Sequence, residues 1–484
     1  MTLSGTATYE SVPNASGPLL YSATSVKPVR GAMVEVLDAT TSAQLAVSAT
    51  DDSGAYSVSV PANTTIFVRV RAQLSRSGVG PSWDVSVRDN TQGSALYSMQ
   101  SPAFGSGAAA STRDLRAATG WGGSSYTGQR VAAPFAVLDT VYTAMQKVLS
   151  VAPATAFPVL RVFWSPNNAP AAGSIAAGQI GSTFFINRSS GREIYVLGKE
   201  NVDTDEFDSP VIAHEWGHYY QSAFSRDDSP GGSHSLDERV DRRLAFSEGW
   251  GNGWSGIALE RSNYVDSVGA QQSRGGNVNL AAGPLTNPGW YREGSIQTIF
   301  WNLNRQVGFK PIHDAMTGIL FRSGAPVTSI HPFTAAFNAT SPGSASALAS
   351  LLSGQNINAA ANDPYGDAET NAGGTPTIPN VVQPMYRTAT VGGASTQACV
   401  SNVEGDDNKL GSFAYLRFTA PTSRDYQFTV NGGPVGASPD FDIFRGGLVA
   451  RSGNRVGLGA GDYVLAVSDL NNSGSPTCFN VTIQ

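Results

Sequence analysis

The residue types best suited to chemistry are concentrated in the run HEWGH, which holds His214, Glu215 and His218. Residues four apart share one face of an α-helix, so the two imidazoles can bind a single metal ion. Glu215, between them, then points toward the position that the metal leaves open. The run predicts a metal site on a helix. The alternative is a helix that carries two packed histidines and a surface glutamate.

A third candidate ligand, Glu248, lies further along the chain in the run AFSEGWGN. Catalytic zinc sites combine three protein ligands with one exchangeable water, and two histidines with one glutamate is a standard set. Asn252 follows Glu248 by about one helical turn, so its amide oxygen could accept the free ring N–H of a ligating histidine. The sequence therefore predicts zinc held by His214, His218 and Glu248, with Asn252 supporting a ligand.

The two motifs together resemble the gluzincin metalloproteases, and within them the fungalysin-like branch, whose third ligand lies in an E-G-W-x-D context. The resemblance spans about Asp203 to Leu303 and implies a zinc metalloendopeptidase in which Glu215 is the catalytic base. The chain departs from the pattern at Asn252, where fungalysin-like and thermolysin-like enzymes generally carry Asp. Since an amide is a weaker acceptor than a carboxylate, we expect lower metal affinity or ligand basicity.

Peptide hydrolysis also needs a hydrogen-bond donor for the oxyanion of the tetrahedral intermediate. The run YREGS, which begins at Tyr291, is similar to the Y-x-x-G-[SA] helix start that presents a tyrosine hydroxyl in aminopeptidase-type gluzincins. His234, in the run GGSHSLDE, is the second candidate, because thermolysin-like sites use a histidine from a separate loop. The alternatives are a packing role for Tyr291 and a solvated loop position for His234.

Acidic residues crowd the segment just before the HEWGH run, namely Asp203, Asp205, Glu206 and Asp208. Calcium takes several oxygen ligands, so this segment is a candidate calcium site. The spacing lacks an EF-hand pattern, and the alternative is a solvated loop that caps the next helix.

The sequence also predicts the helices and strands that position these residues. Asp208 or Ser209 can cap the metal-binding helix, and Pro210 suits its first turn. An earlier helix is predicted from Pro134, because apolar residues then recur at steps of three and four. The apolar runs VLRVFW, TFFIN and EIYVLG predict a sheet. We expect EIYVLG, residues 193–198, at the sheet edge, where it can pair with an extended substrate.

The length of 484 residues and the changes in composition predict several domains. The predicted fold is that of a multidomain protein, with an α+β zincin-type metalloprotease domain flanked by two all-β sandwich domains. The predicted regions are a β-sandwich over 1–80, the catalytic domain over 81–358, a linker over 359–384, and a second β-sandwich over 385–484.

Both flanking regions carry family resemblances. The first is similar to transthyretin-like or carboxypeptidase-regulatory-like modules through a turn with Asp51, Gly54 and Tyr56. The second is similar to the bacterial pre-peptidase C-terminal sandwich, with an aspartate-flanked strand at Asp440 and Asp442. That family is secreted with proteases, which implies a role in carrying or binding substrate. A generic β-sandwich is the alternative at both ends.

Composition and charge narrow the location and the partners. The net charge of −6 and the scattered Lys and Arg residues argue against a nucleic-acid partner. No apolar run is long enough for a transmembrane helix. The low charged fraction of 14% and the polar small residues favour a secreted or cell-surface protein, with an export signal removed before Met1. Cys399 and Cys478 are expected to form a disulfide rather than two buried thiols.

The sequence thus predicts a zinc endopeptidase that acts on extracellular proteins or peptides. Endopeptidase is favoured over aminopeptidase because the chain has no G-x-M-E-N segment of the kind that grips a free amino terminus. Two alternatives stay open. One is a surface adhesion or glycan-binding protein with a vestigial zinc site, and the other is a protease specific for glycosylated proteins.

Overall fold

The computed structural model describes residues 1–373, 379–405, 408–453, 455–472 and 474–484. The chain divides into two compact units. The first comprises Met1–Tyr219 and Ser255–Asn279, and the second comprises Tyr220–Trp254 and Leu280–Gln484. Among the described residues, no helix is both long enough and apolar enough to span a bilayer.

The first unit is rich in strands, most of them short. They are β1 (Thr2–Ser11), β2 (Ser25–Pro28), β3 (Ala32–Asp38), β4 (Gln44–Ala49), β5 (Ala55–Ser59), β6 (Thr65–Arg76), β7 (Trp83–Asp89), β8 (Ala95–Leu96), β9 (Ser98–Gln100), β10 (Phe104–Gly105), β11 (Ser111–Thr112), β12 (Leu115–Ala117), β13 (Leu160–Trp164), β14 (Phe184–Arg188), β15 (Gly191–Val196), β16 (Gly198–Lys199), β17 (Asp203–Thr204), β18 (Asn263–Val268) and β19 (Arg274–Asn279).

These strands form three sheets. A ten-stranded sheet runs in the order β14-β15-β13-β7-β6-β3-β4, with β8, β9 and β10 paired alongside. A five-stranded sheet is built around β1 with β2, β5, β11 and β12, and a four-stranded sheet has the order β16-β17-β18-β19. The long strand β6 shows why the large sheet forms, since every second residue from Ile66 to Leu74 is fully buried.

The helix predicted from Pro134 and the two helices that carry the predicted metal ligands are present. They are α1 (Ala132–Leu149), α2 (Ser209–Phe224) and α3 (Arg242–Leu259). The sequence predicted that Asp208 or Ser209 caps α2, and the Asp208 side chain does not do so. Its carboxylate accepts the backbone N–H of Ser267 at 2.9 Å and a hydrogen bond from the Asn14 amide, and only its backbone carbonyl receives helix amides. The Asp208 side chain therefore joins α2 to strand β18.

The second unit combines helices with a β-sandwich. Its elements are α4 (Glu293–Val307), α5 (Phe309–Thr317), α6 (Ile319–Arg322), α7 (Ile330–Thr340), α8 (Ala345–Gly354), α9 (Pro379–Val382), β20 (Arg387–Thr388), β21 (Thr396–Val400), β22 (Ala414–Ala420), β23 (Arg424–Gly432), β24 (Pro439–Phe444), β25 (Leu448–Arg451), β26 (Arg455–Leu458), β27 (Gly461–Asp469) and β28 (Thr477–Ile483).

The predicted C-terminal β-sandwich is present. One sheet has the order β20-β22-β27-β24-β25 and the other the order β21-β28-β23-β26. Apolar residues of both sheets share a core, among them Leu416 and Leu465 from the first and Phe428 and Val481 from the second. A disulfide joins Cys399 on β21 to Cys478 on β28, as predicted.

The large sheet differs from the sequence predictions in its edge strand and in its extent along the chain. The run EIYVLG forms β15, but β15 lies between β13 and β14, so the edge strand of the sheet is β14. The boundary predicted at residue 80 does not coincide with the end of a sheet, because β7 pairs with β6 before it and with β13 after it. Residues 374–378 of the predicted linker lie outside the described residues.

Candidate metal centre

Helix α2 places its two histidines on one face, as the spacing requires. The Nε2 atoms of His214 and His218 lie 3.1 Å apart, and their rings meet edge to face. His214 is 7% exposed, whereas His218 is half-buried. Two nitrogens bound to one tetrahedral zinc at about 2.0–2.1 Å would be separated by roughly 3.3 Å. The pair therefore has the separation that a shared metal ion needs.

Glu248, on helix α3, completes a group of three that we call the metal-ligand cluster. One ligand atom from each of His214, His218 and Glu248 lies within 4.8 Å of the other two. Two imidazole nitrogens and a carboxylate oxygen form a standard donor set for catalytic zinc. The residues present therefore fit a zinc ion by donor chemistry and by separation.

The start of α3 is fixed by a cap that the sequence analysis missed. The Oδ1 atom of Asp241 accepts the backbone N–H of Arg243 at 3.0 Å, which is the bonding pattern of an N-cap. The other carboxylate oxygen accepts the Tyr415 hydroxyl of β22 at 2.6 Å. The C-terminal sandwich thus contacts the N-cap residue of the helix that carries Glu248.

Close packing of α3 against α4 depends on two glycines of the EGWGNG run. A Cβ atom at Gly249 would lie 2.4 Å from Cβ of Ile296, and one at Gly253 would lie 2.8 Å from Cβ of Phe300. The two glycines are four residues apart and so form one smooth stripe along α3. These glycines set the distance between the two helices beside Glu248.

Glu215 faces the edge strand of the large sheet. Its Oε2 atom accepts the backbone N–H of Phe185, on β14, at 2.8 Å, and the residue is 9% exposed. In an antiparallel pair, backbone groups alternate between the partner strand and the outside. Because the Phe185 N–H points at Glu215, the backbone groups of Phe185 and Asn187 face away from β15.

Tyr264, on β18, is a neighbour of the metal-binding helix that the sequence analysis did not single out. Its ring lies edge-on to that of His214, with a centroid separation of 6.0 Å. Burial, followed by the nearby carboxylates of Asp266 and Glu215, raises the pKa of Tyr264 well above its ordinary value. The phenol stays protonated and can act as a donor. No local motif marks this tyrosine, since strand pairing brings it to the helix.

His234 is brought to the cluster from its loop. Its Nε2 atom lies 3.4 Å from Glu248 Oε2, and its Nδ1 atom lies 2.7 Å from Glu293 Oε2. Both ring nitrogens thus face carboxylate oxygens, and both can donate only when the ring carries two protons. Glu293 belongs to the YREGS run, which the sequence analysis singled out through Tyr291.

Tyr291 has a different environment. Its hydroxyl lies 3.1 Å from Oδ1 of Asn371 and 3.4 Å from the carbonyl of Pro288, and the residue is 1% exposed. Its ring packs edge to face on Trp290. These contacts match the packing role that the sequence left as the alternative. Asn252 lies one turn after Glu248 on α3 and is 9% exposed, and its supporting role stays a prediction.

The acidic segment before α2 separates into residues with different partners. Glu206 pairs with Arg130 and accepts the indole N–H of Trp164 at 3.2 Å, so it is already neutralised. Asp203 and Asp205 instead meet Asp266 of β18, and a carboxylate oxygen of each lies within 4.8 Å of the others. We call these three residues the acidic triad. Asp266 is distant in sequence and was not among the calcium candidates.

Comparison with solved structures finds matches to parts of the chain. No protein-family model and no curated protein matches the chain. The pre-peptidase C-terminal domain of a collagenase from Bacillus anthracis matches with 14% identity over 20% of this chain and 94% of that chain, with a TM-score of 0.16. A periplasmic inhibitor of g-type lysozyme from Salmonella Typhimurium matches with 16% identity over 20% of this chain and 99% of that chain, with a TM-score of 0.15.

A third match is a 9R-lipoxygenase from Cyanothece, with 10% identity over 31% of this chain and 24% of that chain. Its TM-score is 0.14. Scores this low support no argument about fold or function.

Proposed function

We propose that this protein is a secreted zinc-dependent endopeptidase. The observation that carries the proposal is the metal-ligand cluster, in which two histidine nitrogens 3.1 Å apart meet a glutamate oxygen. Glu215, between the two histidines in sequence, is the candidate base. The disulfide between Cys399 and Cys478 supports an extracellular location.

The protein's own residues have distinct roles in this proposal. His214, His218 and Glu248 hold the zinc, and Asn252 supports a ligand from one turn further along α3. When bound, zinc supplies a Lewis acid that polarises the scissile carbonyl and lowers the pKa of water toward neutrality. Glu215 takes the proton from the attacking water and returns it to the leaving amine.

The oxyanion donor is assigned to His234 rather than to Tyr291. His234 is the candidate whose ring nitrogen lies 3.4 Å from a ligand of the proposed zinc, and Glu293 fixes the orientation of the ring. Tyr291 directs its hydroxyl to Asn371 and Pro288. Tyr264 is a further donor on the side of His214.

The edge strand β14 supports an extended peptide as the substrate. Its remaining outward backbone groups, the carbonyl of Phe185 and the groups of Asn187, begin beside Glu215 and can pair with a substrate strand. Binding by main-chain groups does not require a free amino terminus, which supports endopeptidase over aminopeptidase activity. The Phe185 N–H contact to Glu215 supports a base that acts beside a substrate strand paired with β14.

The proposal is tested by metal analysis together with a base variant. The purified protein should carry about one zinc per chain, and His218→Ala or Glu248→Ala should release it. Glu215→Gln should retain both fold and zinc while losing about two to four orders of magnitude in peptide hydrolysis, because an amide cannot accept the proton. Full zinc occupancy in both ligand variants, or full activity of Glu215→Gln, would refute the assignment.

Matched glycosylated and bare peptides separate the remaining alternatives. Cleavage of both supports a general endopeptidase, whereas cleavage of glycopeptides alone supports a protease specific for glycosylated proteins. Binding of glycans without cleavage of either peptide supports an adhesion protein whose zinc site is vestigial.

A further inference from the structure

The acidic triad is built by strand pairing in the four-stranded sheet. Asp203 of β17 lies directly opposite Val268 of β18. Continuing this antiparallel register places Asp205 opposite Asp266, and residues two apart share one face of a strand. The three carboxylates therefore converge on one face of the sheet, although Asp266 is distant from the others in sequence.

Among the described residues, hydrogen-bond donors do not satisfy all the oxygens of these three carboxylates. Asp205 is 3% exposed, and its Oδ2 atom accepts the hydroxyl of Thr183. Its Oδ1 atom is buried and has no hydrogen-bond partner in the part of the chain that the structure describes. Oδ1 of Asp203 and Oδ1 of Asp266 are buried and unpartnered in the same way. Each of the three carboxylates thus has a buried oxygen without a partner among the described residues. In their ionised form, carboxylates this close repel one another strongly unless a positive charge lies among them.

We propose that the acidic triad binds one calcium ion, which ties β17 to β18 next to the metal-binding helix. Only oxygen ligands are present, which favours a hard cation over zinc. Carboxylate oxygens within 4.8 Å of one another can share an ion at calcium–oxygen distances of about 2.3–2.6 Å. Water and backbone oxygens complete the six to eight ligands that calcium takes.

The ion has a structural consequence for the neighbouring histidine. Tyr264 precedes Asp266 by two residues on β18 and so shares its face of the strand. Its ring packs edge-on to His214. Calcium at the acidic triad therefore fixes the strand that presents Tyr264 to helix α2. This site is separate from the metal-ligand cluster and does not depend on the proposed peptidase activity.

The test compares calcium uptake and thermal unfolding of the full chain. Calorimetric titration of chelator-treated protein with calcium chloride should show about one calcium per chain. Calcium at a concentration a hundredfold above its Kd should raise the Tm by about 5 °C. Magnesium, which demands smaller octahedral geometry, should have much less effect.

Asp205→Asn is the informative variant, because it keeps the shape of the side chain and removes one repelling charge. We expect it to lose calcium binding and the calcium-dependent rise in Tm, while its Tm without calcium is no lower than that of the wild type. Asp266→Asn should behave in the same way. The exposed Asp84, changed to Asn, is the matched control and should retain both responses.

His218→Ala separates this proposal from the zinc assignment, since it should lose zinc and keep the calcium response. Failure of the wild type to take up calcium would overturn the calcium site while leaving the zinc assignment intact. Retention of the full calcium response in Asp205→Asn, or an equal response to magnesium, would also overturn it.

Discussion

His234 and Tyr291 differ in what their polar atoms contact, and kinetics can measure that difference. His234 has a nitrogen 3.4 Å from Glu248, whereas the Tyr291 hydroxyl is directed at Asn371. We predict that His234→Ala lowers kcat by about a hundredfold with a small change in KM, because an oxyanion donor acts mainly in the transition state. Steady-state kinetics on one peptide substrate supply the measurement.

Tyr291→Phe is the comparison variant, because phenylalanine preserves the buried ring and removes only the hydroxyl. Its kcat should stay within about threefold of wild type. A large loss in Tyr291→Phe with little loss in His234→Ala would reverse the assignment. If neither variant loses turnover, Tyr264 is the next donor to test.

At the scale of single residues, local spacing predicted much of the site. Helical spacing in the HEWGH run and the ligand set that zinc uses led to His214, His218 and Glu248, whose ligand atoms lie within 4.8 Å of one another. The spacing of residues along the chain does not predict contacts between side chains that are far apart in sequence. The pairing of His234 with Glu293 joins a loop to a helix, and no period in the sequence connects them.

Helix packing beside Glu248 makes a prediction at the scale of the elements. Gly249→Ala should destabilise the protein by about 1–3 kcal/mol, because the new Cβ would lie 2.4 Å from Cβ of Ile296 and must push α4 away. Gly354→Ala, at the end of α8, is the matched control, since no atom lies within 4 Å of a Cβ built there. Chemical denaturation of the three proteins measures the difference.

The control should be neutral or slightly stabilising, because alanine favours a helix more than glycine does. A variant at Gly249 as stable as the wild type would show that α3 and α4 do not need this close approach. Loss of zinc from Gly249→Ala at temperatures where it stays folded would further indicate that the spacing of α3 positions Glu248.

Elements were easier to predict than their order in a sheet. The runs that became β13, β14 and β15 were each recognised as strands from apolar residues bounded by turn formers. Which of them lies at the edge depends on pairings that are not encoded locally. The edge strand is β14, and its position beside Glu215 became visible only through the Phe185 contact.

At the scale of the whole molecule, composition and strand patterns predicted the C-terminal sandwich. They did not predict that the large sheet continues past residue 80. Apolar alternation and a cysteine pair were sufficient for the sandwich, because its strands pair with one another. The large sheet joins β3, β4 and β6 to strands far along the chain, through β7 and β13. Such long-range pairing leaves no change in composition, so the boundary predicted at residue 80 had no counterpart in the sheet.

The C-terminal sandwich region also supports the loop of His234, and this contact makes the last prediction. The side-chain amide of Asn408, between β21 and β22, donates to the carbonyls of Gly231 and Ser233 at 2.7 Å and 3.0 Å. Lys409 donates to the same Ser233 carbonyl. These bonds fix the backbone immediately before His234. We infer that this region helps to position the donor, in addition to any part in substrate binding.

Asn408→Ala should therefore lower kcat by about tenfold while zinc content and KM change little, because the loop loses two hydrogen bonds worth about 1 kcal/mol each and His234 becomes less well placed. The exposed Asn431 of β23, changed to Ala, is a matched control in the same sandwich and should behave as wild type. The double variant Asn408→Ala/His234→Ala gives the decisive measurement. If Asn408 acts through His234, the double variant is no slower than His234→Ala alone, whereas independent effects would multiply.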